Sequence, residues 1–288
     1  MSQILIPKRT KEAINETIIL LRTRNRKEKT ITEYKRHLKR ISENTDIFNP
    51  TKVVLYVLSM KNLKTGNPLT NGYKKRYIET YTIFCKANLI PFDKPKIHYE
   101  PPIPLIPTKE QVQAIINTAS PNMAAIFTIM SETAIEPEEM HQTPRSQINT
   151  EQGTISVNGT KGHANGTYKL KSRTAEMLRH FIAKHPEEYP FPKAKALGEN
   201  WCNTRIRVSK KLCRKDLNTI PLRNLRNYAG AIFYKTTGKK DPIATMRFMR
   251  HKHLDTTLHY IRGINLDEPE EYTTVTIQLG QPDTMKKS

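Results

Sequence analysis

Cysteine is scarce in this chain. Cys85, Cys202 and Cys213 are far apart, odd in number and never arranged as CxxC. That pattern excludes a disulfide framework and a cysteine-based zinc site, and leaves three ordinary reduced thiols. Long apolar runs are lacking too, and no helix reads as a strongly basic amphipathic surface anchor, so the expectation is a protein without a membrane partner. The opening "MSQILIPKRTKE" turns polar too early for a signal peptide; a soluble, intracellular protein is expected. No internal repeat or low-complexity tract is evident. Aromatics make up 7% of the chain, with one tryptophan, yet a hydrophobic content of 36% suffices for a core.

The largest deficit is of acid. Lys and Arg number 48 against 27 Asp and Glu, a formal net charge of +21. Such an excess repels itself in a compact chain and makes sense beside a polyanion, with nucleic acid as the leading partner and binding that weakens with salt.

At 288 residues two domains are expected. Residues 1–98 read as helices: "RTKEAINETIILLRTRN", then "TITEYKRHLKRISEN" with Thr30 and Glu33 as a capping box, then "NPTKVVLYVLSMKNLK", apolar enough to be buried. In "TNGYKKRYIETYTIFCKAN" the residues Tyr77, Tyr81 and Phe84 share a face. Proline then crowds the chain, and residues 99–107 form a stiff extended linker. The second domain, 108–288, opens with Thr108 and Gln111 as another capping box. "NMAAIFTIMSETAI" reads as a buried helix. "GTISV" and "GTYKLK" flank "NGTKGHANG", where Asn165-Gly166 signals the turn of a β-hairpin. Five further helices follow, and the tail after Asp267 is acidic, then polar. The fold class is mainly α with a small β-sheet.

The stretch "RHKHLDTTLHYIRG", Arg250 to Gly263, concentrates three histidines and places Tyr260 nine residues after His251. A zinc site built from His251, His253 and His259 has no cysteine or carboxylate cluster to complete it, and no cofactor is expected. Upstream, Lys161 sits in the hairpin, and Arg223 and Arg226 are three apart at a helix start, on one face. Attack on a phosphodiester without metal calls for this equipment. Cations hold the non-bridging oxygens, an acid protonates the leaving oxygen, and a tyrosine forms a covalent intermediate.

In "LRNLRNYAG…MRHKHLDTTLHY", the second domain resembles the catalytic domain of the tyrosine recombinases, the phage-type integrases and their archaeal virus and plasmid relatives. "TAIEPEEMHQTPRSQI" and "GTISVNGTKGHANGTYKL" also match, in order. The helical first domain and the linker resemble the family's DNA-clamping core-binding domain. The resemblance implies Tyr260 as the nucleophile of a 3′-phosphotyrosyl link, Arg226 as a phosphate clamp, and Lys161 as the acid toward the leaving 5′ oxygen. His251 would bond the phosphate or assist proton transfer. Arg223 stands where the family more often has His or Lys, and its pKa is too high for proton shuttling. The implied substrate is double-stranded DNA at attachment sites. The implied assembly is a homo-tetramer on synapsed DNA, a monomer or weak dimer when free, in the cytoplasm at the nucleoid or in a host cell.

One departure stands out: the family's first phosphate-clamping arginine falls on Glu136. Loss of one such donor costs about 2.7–4 kcal/mol in a desolvated site, and a carboxylate adds repulsion. Three accounts are open: an inactive form, a replacement donor such as Arg145, or Glu136 turned away. A non-catalytic DNA-binding protein on the same scaffold is the alternative to a recombinase, and a type IB topoisomerase-like enzyme without site choice is a third reading.

Overall fold

A computed structural model describes residues 8–160 and 162–264. The chain divides into two compact units, Met1–Pro102 and Ile103–Ser288. Residues 90–108 carry neither helix nor strand, as a proline-rich segment requires.

The first unit packs four helices, α1 (Lys8–Thr23), α2 (Glu28–Ser42), α3 (Pro50–Ser59) and α4 (Asn71–Ala87). Leu21, Leu38, Ile41, Val53, Val57, Ile78, Tyr81 and Phe84 are buried in one cluster. Tyr77, Tyr81 and Phe84 do fall on the buried face of α4. Two expectations are corrected. Helix α2 begins at Glu28 with Lys27 at its N-cap, and Thr30 caps nothing; the chain has already turned helical two residues earlier. Helix α3 is not wholly buried, because Leu55 and Leu58 face out. His37 lies inside this unit, its ring 4.1 Å from that of Tyr77 and its Nδ1 3.0 Å from Thr80 Oγ1. The Thr80 hydroxyl donates to Arg76 O, so the histidine Nδ1 carries the hydrogen of that bond.

The second unit holds α5 (Lys109–Ile116), α6 (Pro121–Glu132), α7 (Pro137–His141), α8 (Ser172–Lys184), α9 (Ala194–Lys211), α10 (Asn224–Lys235), α11 (Pro242–Met249) and α12 (Leu254–Ile261). Thr108 and Gln111 cap α5 reciprocally. Helix α6 is buried from Ala124 through Ser131; α8 and α10 pack against it. Trp201 of α9 meets Phe127 edge-on at 5.0 Å and donates to Ile220 O at 2.8 Å.

Three short strands, β1 (Ile148–Asn149), β2 (Thr154–Val157) and β3 (Gly166–Lys169), form an antiparallel sheet in the order β1-β2-β3. Ile155 faces Tyr168, and Val157 faces Gly166. The hairpin therefore forms as expected, but Asn165-Gly166 is not its turn. Gly166 is already in the ladder, and Gly159 N donates to Asn165 Oδ1 at 2.9 Å, so the two strands are joined by more than a two-residue turn. Gly166 is needed for another reason: a Cβ there would lie 2.6 Å from Arg250 Cδ. Among the described residues no helix is long and apolar enough to cross a membrane.

Candidate active site

Helix α10 supplies the centre of the site. Arg223 is its N-cap residue and exposed, while Arg226, one turn in, is buried at 2% exposure. The two arginines share a helix start but not an environment. Arg226 donates from Nη1 to Ala134 O and from Nη2 to Met249 O. Its Nη2 is also 3.4 Å from His163 Nε2, and its Nε is 3.5 Å from Glu136 Oε1. Met249 ends α11, which comes this close because Gly230 of α10 has no side chain; a Cβ there would sit 2.3 Å from Met249 Sδ.

Beyond α11 the chain turns through Arg250, whose φ of +56° is left-handed, a conformation L-residues adopt at a cost. The turn aims the Arg250 side chain into the unit. Its Nε donates to Tyr168 Oη at 2.9 Å, Nη1 to Ala164 O at 3.1 Å, and Nη2 to Ala134 O at 3.3 Å and to Glu139. Glu139, on α7, is buried, and its carboxylate also accepts from Thr160 N at 3.0 Å and Glu136 N at 2.9 Å. Its Oε1 lies 2.9 Å from His163 Nδ1. Burial alone would raise the Glu139 pKa; the hydrogen bonds from His163, Arg250 and two backbone amides outweigh it and hold the group down to about 2. An ionised carboxylate only accepts, so His163 donates from Nδ1 and turns its Nε2 lone pair toward Arg226.

His251 follows, buried, with Nδ1 2.9 Å from Thr257 Oγ1. Burial first, then the charges of Arg226 and Arg250 with His163 acting in the same direction, push its pKa down to about 3, so the imidazole is neutral at pH 7. Tyr260, on α12, places its ring 5.3 Å from that of His251. Burial raises its pKa; Arg226 and Arg223 pull it down and Glu136 pushes it up, in that setting. Tyr260, His251, Arg226 and Arg223 thus come together from three segments. Lys161 lies outside the described residues, but Thr160, His163 and Ala164 around it are tied to Glu139 and Arg250. His253 is exposed at the N-cap of α12, and among the described residues no three His, Cys, Asp or Glu side chains group as metal ligands.

Glu136 is not turned away. It caps α7 in a capping box with Glu139 and faces Arg226. Arg145 does not replace it, since its Nη1 donates to Ile182 O at 3.0 Å and His185 O at 2.8 Å, at the end of α8. Sequence reasoning passed over His163 and Arg250. Both lie in stretches that resemble the family, His163 in "GTISVNGTKGHANGTYKL" and Arg250 in "MRHKHLDTTLHY".

No protein-family model and no curated protein matches this chain. Solved structures do. A lambda integrase dimer bound to a COC′ core site superposes with a TM-score of 0.65 at 13% identity, over 90% of this chain and 98% of that one. The Tn1549 transposon integrase in complex with transposon right end DNA gives 0.64 at 13% identity, over 86% and 94%. The chain has the tyrosine-recombinase fold. Within that fold the mainly helical class and the small sheet stand as expected from the sequence.

Proposed function

We propose that the protein is a site-specific tyrosine recombinase that cuts and rejoins duplex DNA in the integration or excision of a mobile element. The observation that supports this is the convergence of Tyr260, neutral His251 and Arg226, which are separated in sequence and come from α12, the α11–α12 turn and α10. Tyr260 Oη attacks the scissile phosphorus, a 3′-phosphotyrosyl bond forms, and the bond to the 5′ oxygen breaks. His251, neutral and beside the ring, is assigned to bond the phosphate or assist proton transfer; Arg226 and Arg223 stabilise the charge that grows on the non-bridging oxygens. Lys161 is assigned the proton delivered to the leaving 5′ oxygen. Attack by a 5′-hydroxyl on the phosphotyrosine reverses the chemistry, so the bond energy is conserved and no nucleotide or metal is called for. The two similar integrases were solved on DNA; attachment-site duplex is the partner assigned here, with the first unit clamping it and a tetramer on synapsed sites. The net charge of +21 supports binding that weakens steeply with salt.

The test is covalent trapping. Nicked attachment-site DNA is incubated with the protein and with Tyr260→Phe, denatured and run on a gel. A DNA-linked band from the first that is missing from the second is the expected result; no band on the element's own site overturns the reading. A second reading, a non-catalytic DNA-binding protein, is favoured by Glu136 beside Arg226. It predicts salt-dependent binding without any adduct.

A further inference from the structure

Arg226 is held in place by backbone. Its Nη atoms are committed to Ala134 O and Met249 O, with His163 Nε2 nearby, which fixes the guanidinium plane. Its Nε edge is met by Glu136 Oε1 at 3.5 Å. Glu136 cannot drift, because its backbone N–H is bonded to Glu139 and its side chain caps α7. The Glu136 side chain is 19% exposed against 2% for Arg226, so an incoming ligand reaches the carboxylate before the guanidinium. Arg145 and Arg250 do not relieve the situation. Arg145 is spent at the end of α8 and Arg250 on Glu139, Tyr168 and two carbonyls.

We infer that Glu136 sets how strongly this site holds a phosphate: its carboxylate acts as an internal anion on the Nε edge of Arg226, and a phosphodiester oxygen takes that edge only by displacing it. The inference rests on the reading of Arg226 as the phosphate clamp. Carboxylate and phosphate both offer a pair of oxygens to a guanidinium fork, and both carry negative charge, so they compete for the donor and repel each other. Glu136 therefore acts against DNA at one specific phosphate rather than along the whole duplex.

Glu136→Gln separates charge from capping, since the amide oxygen still accepts the α7 N–H. Two nicked duplexes are compared, one with an ordinary phosphodiester at the scissile position and one with an uncharged methylphosphonate. The variant is expected to form adduct at least about tenfold faster on the phosphodiester and to leave the methylphosphonate rate nearly unchanged. Equal changes on both substrates, or none on either, would show a helix cap and overturn the inference. A second arm does not depend on turnover. In a Tyr260→Phe background, Glu136→Gln is expected to tighten equilibrium binding of the phosphodiester duplex about tenfold, and unchanged affinity overturns the inference. Should no form of the protein give an adduct, the recombinase reading falls, and this binding arm still decides the role of Glu136.

Discussion

His37 in the first unit and His251 in the second are both buried and both driven toward the neutral form, but their neighbours differ. His37 is lowered to about 4 by burial, with Glu33 pulling back and nearby arginines adding a little; it stacks on Tyr77 and bonds Thr80, in a unit that buries no Lys, Arg, Asp or Glu among its described residues. His251 is lowered to about 3 by burial and then by Arg226, His163 and Arg250, cations or potential cations inside the same unit. The first unit buries one neutral imidazole. The second buries two guanidiniums and a carboxylate at 4% exposure or less. Buried charge is a poor route to stability, so its concentration in one unit marks where chemistry, rather than folding alone, has shaped the interior.

The contrast can be broken most forcefully at Glu139. Glu139→Ala leaves Arg250 charged and unpaired, and the second unit should lose about 3–5 kcal/mol. Urea unfolding followed by the fluorescence of Trp201, the single tryptophan and a core residue of that unit, reads the loss; an unchanged midpoint would remove the buried network from the account. Next comes Arg226→Lys, which keeps the charge but not the fork. Adduct formation should fall about 100- to 1000-fold in the trapping assay, while urea unfolding stays cooperative.

Acid sharpens the comparison. A histidine whose folded pKa is below its unfolded value contributes stability that is full above about 6.5 and is lost as pH falls toward the folded value. For His37 that window runs from 6.5 to about 4, and the loss is on the order of 1–3 kcal/mol. His37→Phe, which keeps the stack on Tyr77, should flatten the pH dependence of the first unit, read by hydrogen exchange of its amides, and leave the Trp201 transition as it was. Glu139 has the same sense in a lower window: its lowered pKa contributes stability above about 4.5 that disappears toward about 2, so the second unit should fail in a further step at lower pH. The smallest effect belongs to Arg145→Ala. It removes bonds to two carbonyls at the end of α8, should cost about 1 kcal/mol, and should leave adduct formation alone.

What could be read in the sequence was local. The Thr108–Gln111 box, the largely apolar α6 and the strands of "GTISV" and "GTYKLK" each report a short-range preference, and each formed as expected. Thr30 misled because a capping residue has meaning only where the chain is not yet helical, and Lys27 had begun the turn. Asn165-Gly166 misled because its glycine answers a contact 84 residues away, with Arg250, rather than the geometry of a tight turn. The site shows the same division. Tyr260, His251 and Arg226 stood out because their order and spacing matched a family pattern. His163 and Arg250 did not, because the bonds that define them reach to Glu139, 24 and 111 residues off. Glu136 was legible as a departure, yet only its distance to Arg226 shows that the carboxylate engages the guanidinium.

The contact between Gly166 and Arg250 has a consequence for how this protein can change. A side chain at 166 would strike the arginine, and the arginine anchors Glu139, Tyr168 and Ala164. Neither position can drift by itself: a bulkier residue at 166 demands a shorter one at 250, and the shorter one strands a buried carboxylate. In a set of related sequences the two positions, together with 139, should therefore vary as a single character.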